Sequence, residues 1–105
     1  MSSLERTERE PRAQSVKVVE DTLTLDLVDG RTISVPVVWY PRLWYATPEE
    51  RSNFEIIGDG TYVHWPDVDE DLTVAGILEG RRSVESPESI KKWLAGREQA
   101  EKKAV

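Results

Sequence analysis

Cysteine is absent from this 105-residue chain, and histidine occurs once. No disulfide framework, thiol nucleophile or thiolate metal site is therefore available, and a His-rich centre cannot form within one chain. Long apolar runs are missing too: nothing approaches the ~20 residues of a membrane span. The N-terminus lacks the basic-then-apolar order of a secretion signal. The expectation is a cytoplasmic protein without membrane association. Gly58-Asp59-Gly60 is too short to cradle a phosphate, and Ser34, Ser52, Ser83, Ser86 and Ser89 stand in no nucleophile-elbow context. No cofactor, metal or catalytic residue is expected, and the chain does not read as an enzyme.

A chain of this length forms one domain and buries about two-thirds of its unfolded surface. Its charge is uneven. Residues 1–14 balance three Arg against three Glu, residues 15–85 set six basic against fourteen acidic side chains, and residues 86–105 set five against three. A body this acidic repels phosphate backbones and suits a basic protein partner, although acidity also serves plain solubility.

Residues 1–14 hold too little apolar surface to offset their ordering entropy and read as a flexible tail. The body, residues 15–80, starts as strands at Val16–Val19. Leu23, Leu25 and Leu27 then alternate with Thr24 and Asp26, and Ile33 and Val35 follow Asp29-Gly30. A three-residue loop, Val28-Asp29-Gly30, pairs Leu25 with Ile33 and Leu23 with Val35, whereas a two-residue loop mixes the faces. The three-residue loop with left-handed Gly30 is predicted. Pro41 opens a short helix expected to turn Leu43 and Trp44 inward. Thr47, Pro48 and Glu50 form an N-cap, first-turn proline and capping box. A second hairpin around Gly58-Asp59-Gly60 is predicted to place Ile56 opposite Tyr62, Phe54 opposite His64 and Glu55 opposite Val63. Thr73 caps a helix from Val74 to Glu79 that Gly80 stops, with Leu72 and Ile77 placed for a hydrophobic staple. Asp69, Glu70 and Asp71 are expected at its positive end. Residues 81–105 read as a connector and a C-terminal amphipathic helix that starts at Ser86-Pro87-Glu88-Ser89 and carries Ile90, Trp93 and Leu94. The fold class is α+β: two β-hairpins in a small antiparallel sheet of four or five strands, with short covering helices.

Four stretches together resemble one family: residues 22–31 (Thr-Leu-Thr-Leu-Asp-Leu-Val-Asp-Gly-Arg), Trp39-Tyr40-Pro41-Arg42-Leu43, Ala46-Thr47-Pro48-Glu49-Glu50-Arg51, and His64-Trp65-Pro66-Asp67-Val68-Asp69-Glu70-Asp71-Leu72. The family is domain of unknown function 2442, in its longer-looped form, over roughly residues 16–80. The resemblance implies a small bacterial α+β domain, sometimes fused to a helix-turn-helix. It also implies gene neighbourhood with another uncharacterised family, numbered 4160, the pair having been proposed as a toxin–antitoxin module. No catalytic residues are implied, and this chain offers one helix after Gly80 rather than a helix-turn-helix pair.

Three groups of residues deserve a chemical reading. Asp67-Val68-Asp69-Glu70-Asp71 spaces carboxylates as calcium loops do, but Leu72 stands where the loop needs Gly and Leu78 where it needs Glu. A solvated acidic loop is expected. His64 with Asp67 would make an acid–base pair, but Pro66 redirects the chain between them, and a sheet-face histidine is favoured. Trp39, Tyr40, Trp44 and Tyr45 surround Arg42, all of them residue types enriched at binding hot spots. Such a group serves either a core or an interface. Trp93 has the same two readings and packs on its own body or on a second copy.

The candidate partner-binding residues are thus Trp39, Tyr40, Arg42, Trp44, Tyr45, Asp67, Asp69, Glu70, Asp71 and Trp93. The expected function is a noncatalytic protein-binding module, with an antitoxin-like partner of a neighbouring-gene toxin as its most concrete form. The rival readings are a nucleic-acid-linked regulator using Lys91, Lys92, Arg97, Lys102 and Lys103, and a domain with no separable activity. A homodimer is the alternative to a foreign partner.

Overall fold

The computed structural model describes the backbone of residues 10–104 and the side chains of residues 10–98. Most of the expected N-terminal tail lies outside the described residues, but Ala13 and Gln14 already belong to a strand. The strands are β1 (Ala13–Val19), β2 (Thr22–Leu27), β3 (Thr32–Pro36), β4 (Glu55–Ile57), β5 (Tyr62–Trp65) and β6 (Glu70–Thr73). They form two antiparallel three-stranded meanders, in the orders β1-β2-β3 and β4-β5-β6. This corrects the expected single sheet of four or five strands.

In the first meander, Leu25 faces Ile33, Leu23 faces Val35 and Thr24 faces Ser34. The predicted three-residue loop is present, and Gly30 takes φ 98°. Leu23, Leu25 and Leu27 are buried, while Thr24 and Asp26 lie on the outer face. In the second meander the predicted register is wrong by one: Glu55 faces His64, Ile56 faces Val63 and Ile57 faces Tyr62. The loop has four residues because Thr61 belongs to the turn. Its hydroxyl donates to the Gly58 carbonyl at 2.7 Å and its amide to the same oxygen at 3.1 Å. Gly60 is required here for two reasons: its φ is 96°, and a Cβ would stand 2.8 Å from the Ala13 carbonyl where β1 approaches.

Among the described residues there are four α-helices, α1 (Pro41–Trp44), α2 (Pro48–Ser52), α3 (Val74–Leu78) and α4 (Pro87–Ala104), and two single 3-10 turns, Val37–Trp39 and Gly58–Gly60. Helix α2 has the predicted capping box between Thr47 and Glu50. Helix α3 is capped by the Thr73 hydroxyl. At its end, Gly80 N–H donates to Ile77 O and Arg81 N–H to Gly76 O, the paired bonds of a Schellman stop.

Both meanders feed one core. Leu23 and Leu25 meet Val63 and Trp65, with Val37, Tyr40, Leu43, Val68 and Val74 between them, all essentially inaccessible to water. Each such side chain contributes roughly 1.5–3 kcal/mol on burial. The Trp65 indole N–H donates to the Arg51 carbonyl at 3.1 Å, so its polar edge is also satisfied. Helix α4 closes the domain on its own body: Ile90 is buried, and Trp93 packs against the core.

A split candidate binding surface

The ten residues that the sequence singles out do not form one surface. Tyr40 is only 1% exposed, and its hydroxyl donates to the Arg81 carbonyl at 2.9 Å. It is a core residue. Trp39 is half-buried under the Arg82 guanidinium, 4.6 Å from its ring centroid. Helix α1 is four residues long, and successive side chains on a helix are about 100° apart. Burying Leu43 therefore turns Trp44 out, against the expectation that both face inward. Trp44 is 41% exposed and Tyr45 49%.

Arg42 leaves α1 in another direction and is occupied internally. Its Nε and Nη2 donate to the two carboxylate oxygens of Glu85 at 2.9 and 2.8 Å, and its Nη1 donates to the Val68 carbonyl at 3.0 Å. The Arg42 bonds, together with one from the Ser89 hydroxyl, hold the Glu85 carboxyl down at about 2. The guanidinium also lies 5.0 Å from the Trp93 ring centroid, with that of Arg97 at 4.8 Å. Arg97 in turn donates to both oxygens of Glu50 at 3.1 and 2.8 Å. Trp93 and Arg42 thus fasten α4 to the body. Arg97, one of the cations of the nucleic-acid reading, is spent in the same contact, and the side chains of Lys102 and Lys103 lie outside the described residues.

The acidic stretch is also divided. Residues Pro66–Asp69 form the β5–β6 turn, and Val68 at its centre is buried. Asp67 accepts a bond from the Asn53 amide at 2.9 Å. Asp69 is exposed with φ 52°. Glu70 and Asp71 lie in strand β6 and not at the start of the following helix, which corrects the expected helix-capping acidic loop. His64 pairs with Asp71 across the β5–β6 ladder, Nδ1 to Oδ1 at 2.5 Å. Its neighbour on the other side is Glu55, not Phe54. Glu70 is largely covered, and burial pushes its carboxyl up to about 7 despite the opposing pull of Arg42.

Sequence reasoning missed what frames the exposed aromatics. Arg51 of α2 donates to Leu43 O at 3.0 Å and Trp44 O at 3.1 Å at the end of α1, and to Glu20 O at 2.8 Å in the β1–β2 turn. One guanidinium thereby pins that turn beside Trp44. Val19 at the turn is 51% exposed and Val38 before α1 is 56% exposed. Val19, Val38, Trp44 and Tyr45 are thus exposed apolar side chains on neighbouring segments, with exposed Glu20 and Asp21 beside them. A valine at a strand end and one in a single 3-10 turn (Val37–Trp39) give no sequence signal of exposure; Arg51, next to the capping box, gave none either.

Among the described residues, no three His, Asp or Glu side chains are grouped to hold a metal ion. No described helix is long and apolar enough to cross a membrane.

Residues 13–83 match the family described as "Protein of unknown function (DUF2442)". A protein of unknown function from Rhodospirillum rubrum, solved as a crystal structure, is similar at TM-score 0.65 and 28% identity, over 73% of this chain and 95% of that one. An uncharacterized protein from Chromobacterium violaceum, solved by NMR in solution, is similar at TM-score 0.62 and 28% identity, over 91% of this chain and 85% of that one. Comparison with the curated proteins gives no match. Helix α4 lies outside residues 13–83, so the Arg42–Glu85 and Trp93 contacts join the matched residues to the segment that follows them. The chain belongs to the DUF2442 family.

Proposed function

We propose that this chain is a noncatalytic, cytoplasmic protein-binding module whose partner presents a basic surface. An antitoxin-like role toward the product of a neighbouring gene is its most concrete form. The observation that carries the reading is the exposed set Val19, Val38, Trp44 and Tyr45: Arg51 ties the β1–β2 turn to the end of α1 through three carbonyls, and Val37 N–H donates to Asp21 O beside Val38. Large rigid aromatics bring apolar contact area at low entropic cost, and pre-organisation lowers the cost further. The adjoining acids Glu20 and Asp21, on a body rich in carboxylates, steer a basic partner toward them.

The test is co-expression with the neighbouring gene product and co-purification. Trp44→Ala combined with Tyr45→Ala is expected to abolish recovery of the partner. Glu20→Lys with Asp21→Lys is expected to weaken recovery more at low salt than at high salt, since screening removes steering. Recovery unchanged by the aromatic pair would reject this surface.

A further inference from the structure

A second site follows from the free side of the second meander. Strand β6 pairs with β5 on one side only, and among the described residues its outer edge makes no backbone bond to another segment. A groove of about 370 Å³ runs along that edge. All four consecutive residues of β6, Glu70 to Thr73, line it. A sheet face would present alternate residues, so the groove follows the edge itself. Its far wall is the connector Arg81–Glu85, and Tyr40 with Gly76 and Ile77 of α3 complete the lining.

That far wall has no regular secondary structure and is tied down away from the strand. Ser83 N–H donates to the Trp39 carbonyl at 3.0 Å, Arg81 O accepts from Tyr40 and Glu85 is clamped by Arg42. The connector is therefore tied to the helical side of the domain and is not paired with β6 as a further strand. Val84, on this wall, is fully exposed. The charges are sorted along the groove. Glu85 influences Glu70 at one end, whereas Arg81 and Arg82 stand toward α3 at the other. Arg81 is engaged by Glu79 and Arg82 by Trp39.

We propose that the edge of β6 is a strand-addition site for an extended peptide of a partner protein, with a Lys or Arg side chain seated at the Glu70–Glu85 end. Main-chain bonds to β6 supply affinity, as in other edge-binding modules, and the groove ends supply direction. Four strand residues offer about 13 Å of edge, enough for a peptide segment of the same length. A second copy of this chain is a poor occupant: antiparallel pairing of two β6 strands sets Glu70 against Thr73 and Asp71 against Leu72, and β6 carries no Lys or Arg to bring to the Glu70–Glu85 end. The Glu70 carboxyl, which burial pushes up, gains most from an incoming cation. The titratable groups that act on it are Arg42 on α1, Glu85 on the connector, the adjacent Asp71 on β6 and Tyr40 across the groove, so the cation joins a set in which Arg42 is already committed to Glu85.

The test is to pan a phage-displayed random heptapeptide library on the whole chain and to measure the selected peptides on three proteins: wild type, Glu70→Gln and Trp44→Ala. The expected consensus is a Lys or Arg flanked by β-branched residues. Affinity should fall about tenfold on Glu70→Gln, the worth of one charge-assisted contact, and stay unchanged on Trp44→Ala. Amide hydrogen exchange at residues 70–73 should slow when peptide is bound. Glu70→Gln is nearly isosteric, so loss of folding does not confuse the result. Failure to select a basic consensus, peptides indifferent to Glu70→Gln, or unchanged exchange along β6 would each overturn the proposal. Because the Trp44 surface is measured separately, such a failure leaves the reading of that surface intact.

Discussion

The two meanders have the same up-down topology and share a core, yet they present different chemistry to water. On the first, the outer face is a ladder of satisfied small polar groups. Ser15 and Thr32 hydroxyls donate to the two oxygens of Asp26, each at 2.8 Å, and Thr24 pairs with Ser34 at 3.1 Å. On the second, the outer face sets His64 against Asp71, Glu70 lies largely covered on the other face beside Trp65, and one strand edge stands open beside a groove. The outer face of the first sheet bonds its own side chains to one another. The second sets titratable side chains and an open strand edge beside a groove, which is where a ligand can add something.

The largest effects should show what the sheets share. Trp65→Ala in the second sheet is expected to cost about 4 kcal/mol and Leu25→Ala in the first about 3 kcal/mol, since both side chains are fully buried. Urea unfolding of either variant should remain a single transition. Two separate transitions would show that the sheets do not share one core.

Next comes the fastening of α4. Arg42→Ala should cost about 2 kcal/mol by removing a bidentate carboxylate contact and a main-chain bond. The Glu85 carboxyl is held down at about 2, chiefly by Arg42, so its contribution is complete above the ordinary carboxylate range and is lost as pH falls toward 2. Glu85→Gln should flatten the acid limb of a stability-versus-pH curve, and an unchanged limb would contradict the clamp.

Glu70 gives the opposite sign. Its folded-state carboxyl is raised to about 7, so the fold is favoured by protonation and loses stability as pH rises from about 4.5 through 7. Glu70→Gln should therefore stabilise the chain by about 2 kcal/mol at pH 8 and by almost nothing at pH 4. Thermal melts at the two pH values read this directly. The smallest effect belongs to the finished face of the first sheet: Thr24→Val should change stability by less than about 0.5 kcal/mol in urea melts.

The same contrast explains what could be read from sequence. In the first meander, Leu23, Leu25 and Leu27 against Ile33 and Val35 leave one register that buries every apolar side chain, and the loop length follows. In the second, Ile56 and Ile57 are adjacent, so alternation gives no such discrimination. Thr61 looks like a strand residue but spends its hydroxyl on the turn. Strand β6 went unread because Asp and Glu disfavour strands, and pairing with β5 overrides that preference. The family, the α+β class, both short helix caps and the Gly80 stop were legible, because each rests on local chemistry. The aromatic group was recognised, but its division was not. Leu43 and Arg42 decide it by claiming the inward directions of α1, and Trp44 takes what remains.

The most direct test of the binding account is titration calorimetry of the neighbouring gene product against wild type and the Trp44→Ala, Tyr45→Ala double variant. Loss of one hot-spot aromatic is worth about 2 kcal/mol, so the double variant should bind at least about thirtyfold more weakly while its urea midpoint is preserved. Equal affinity for the two proteins would contradict the account.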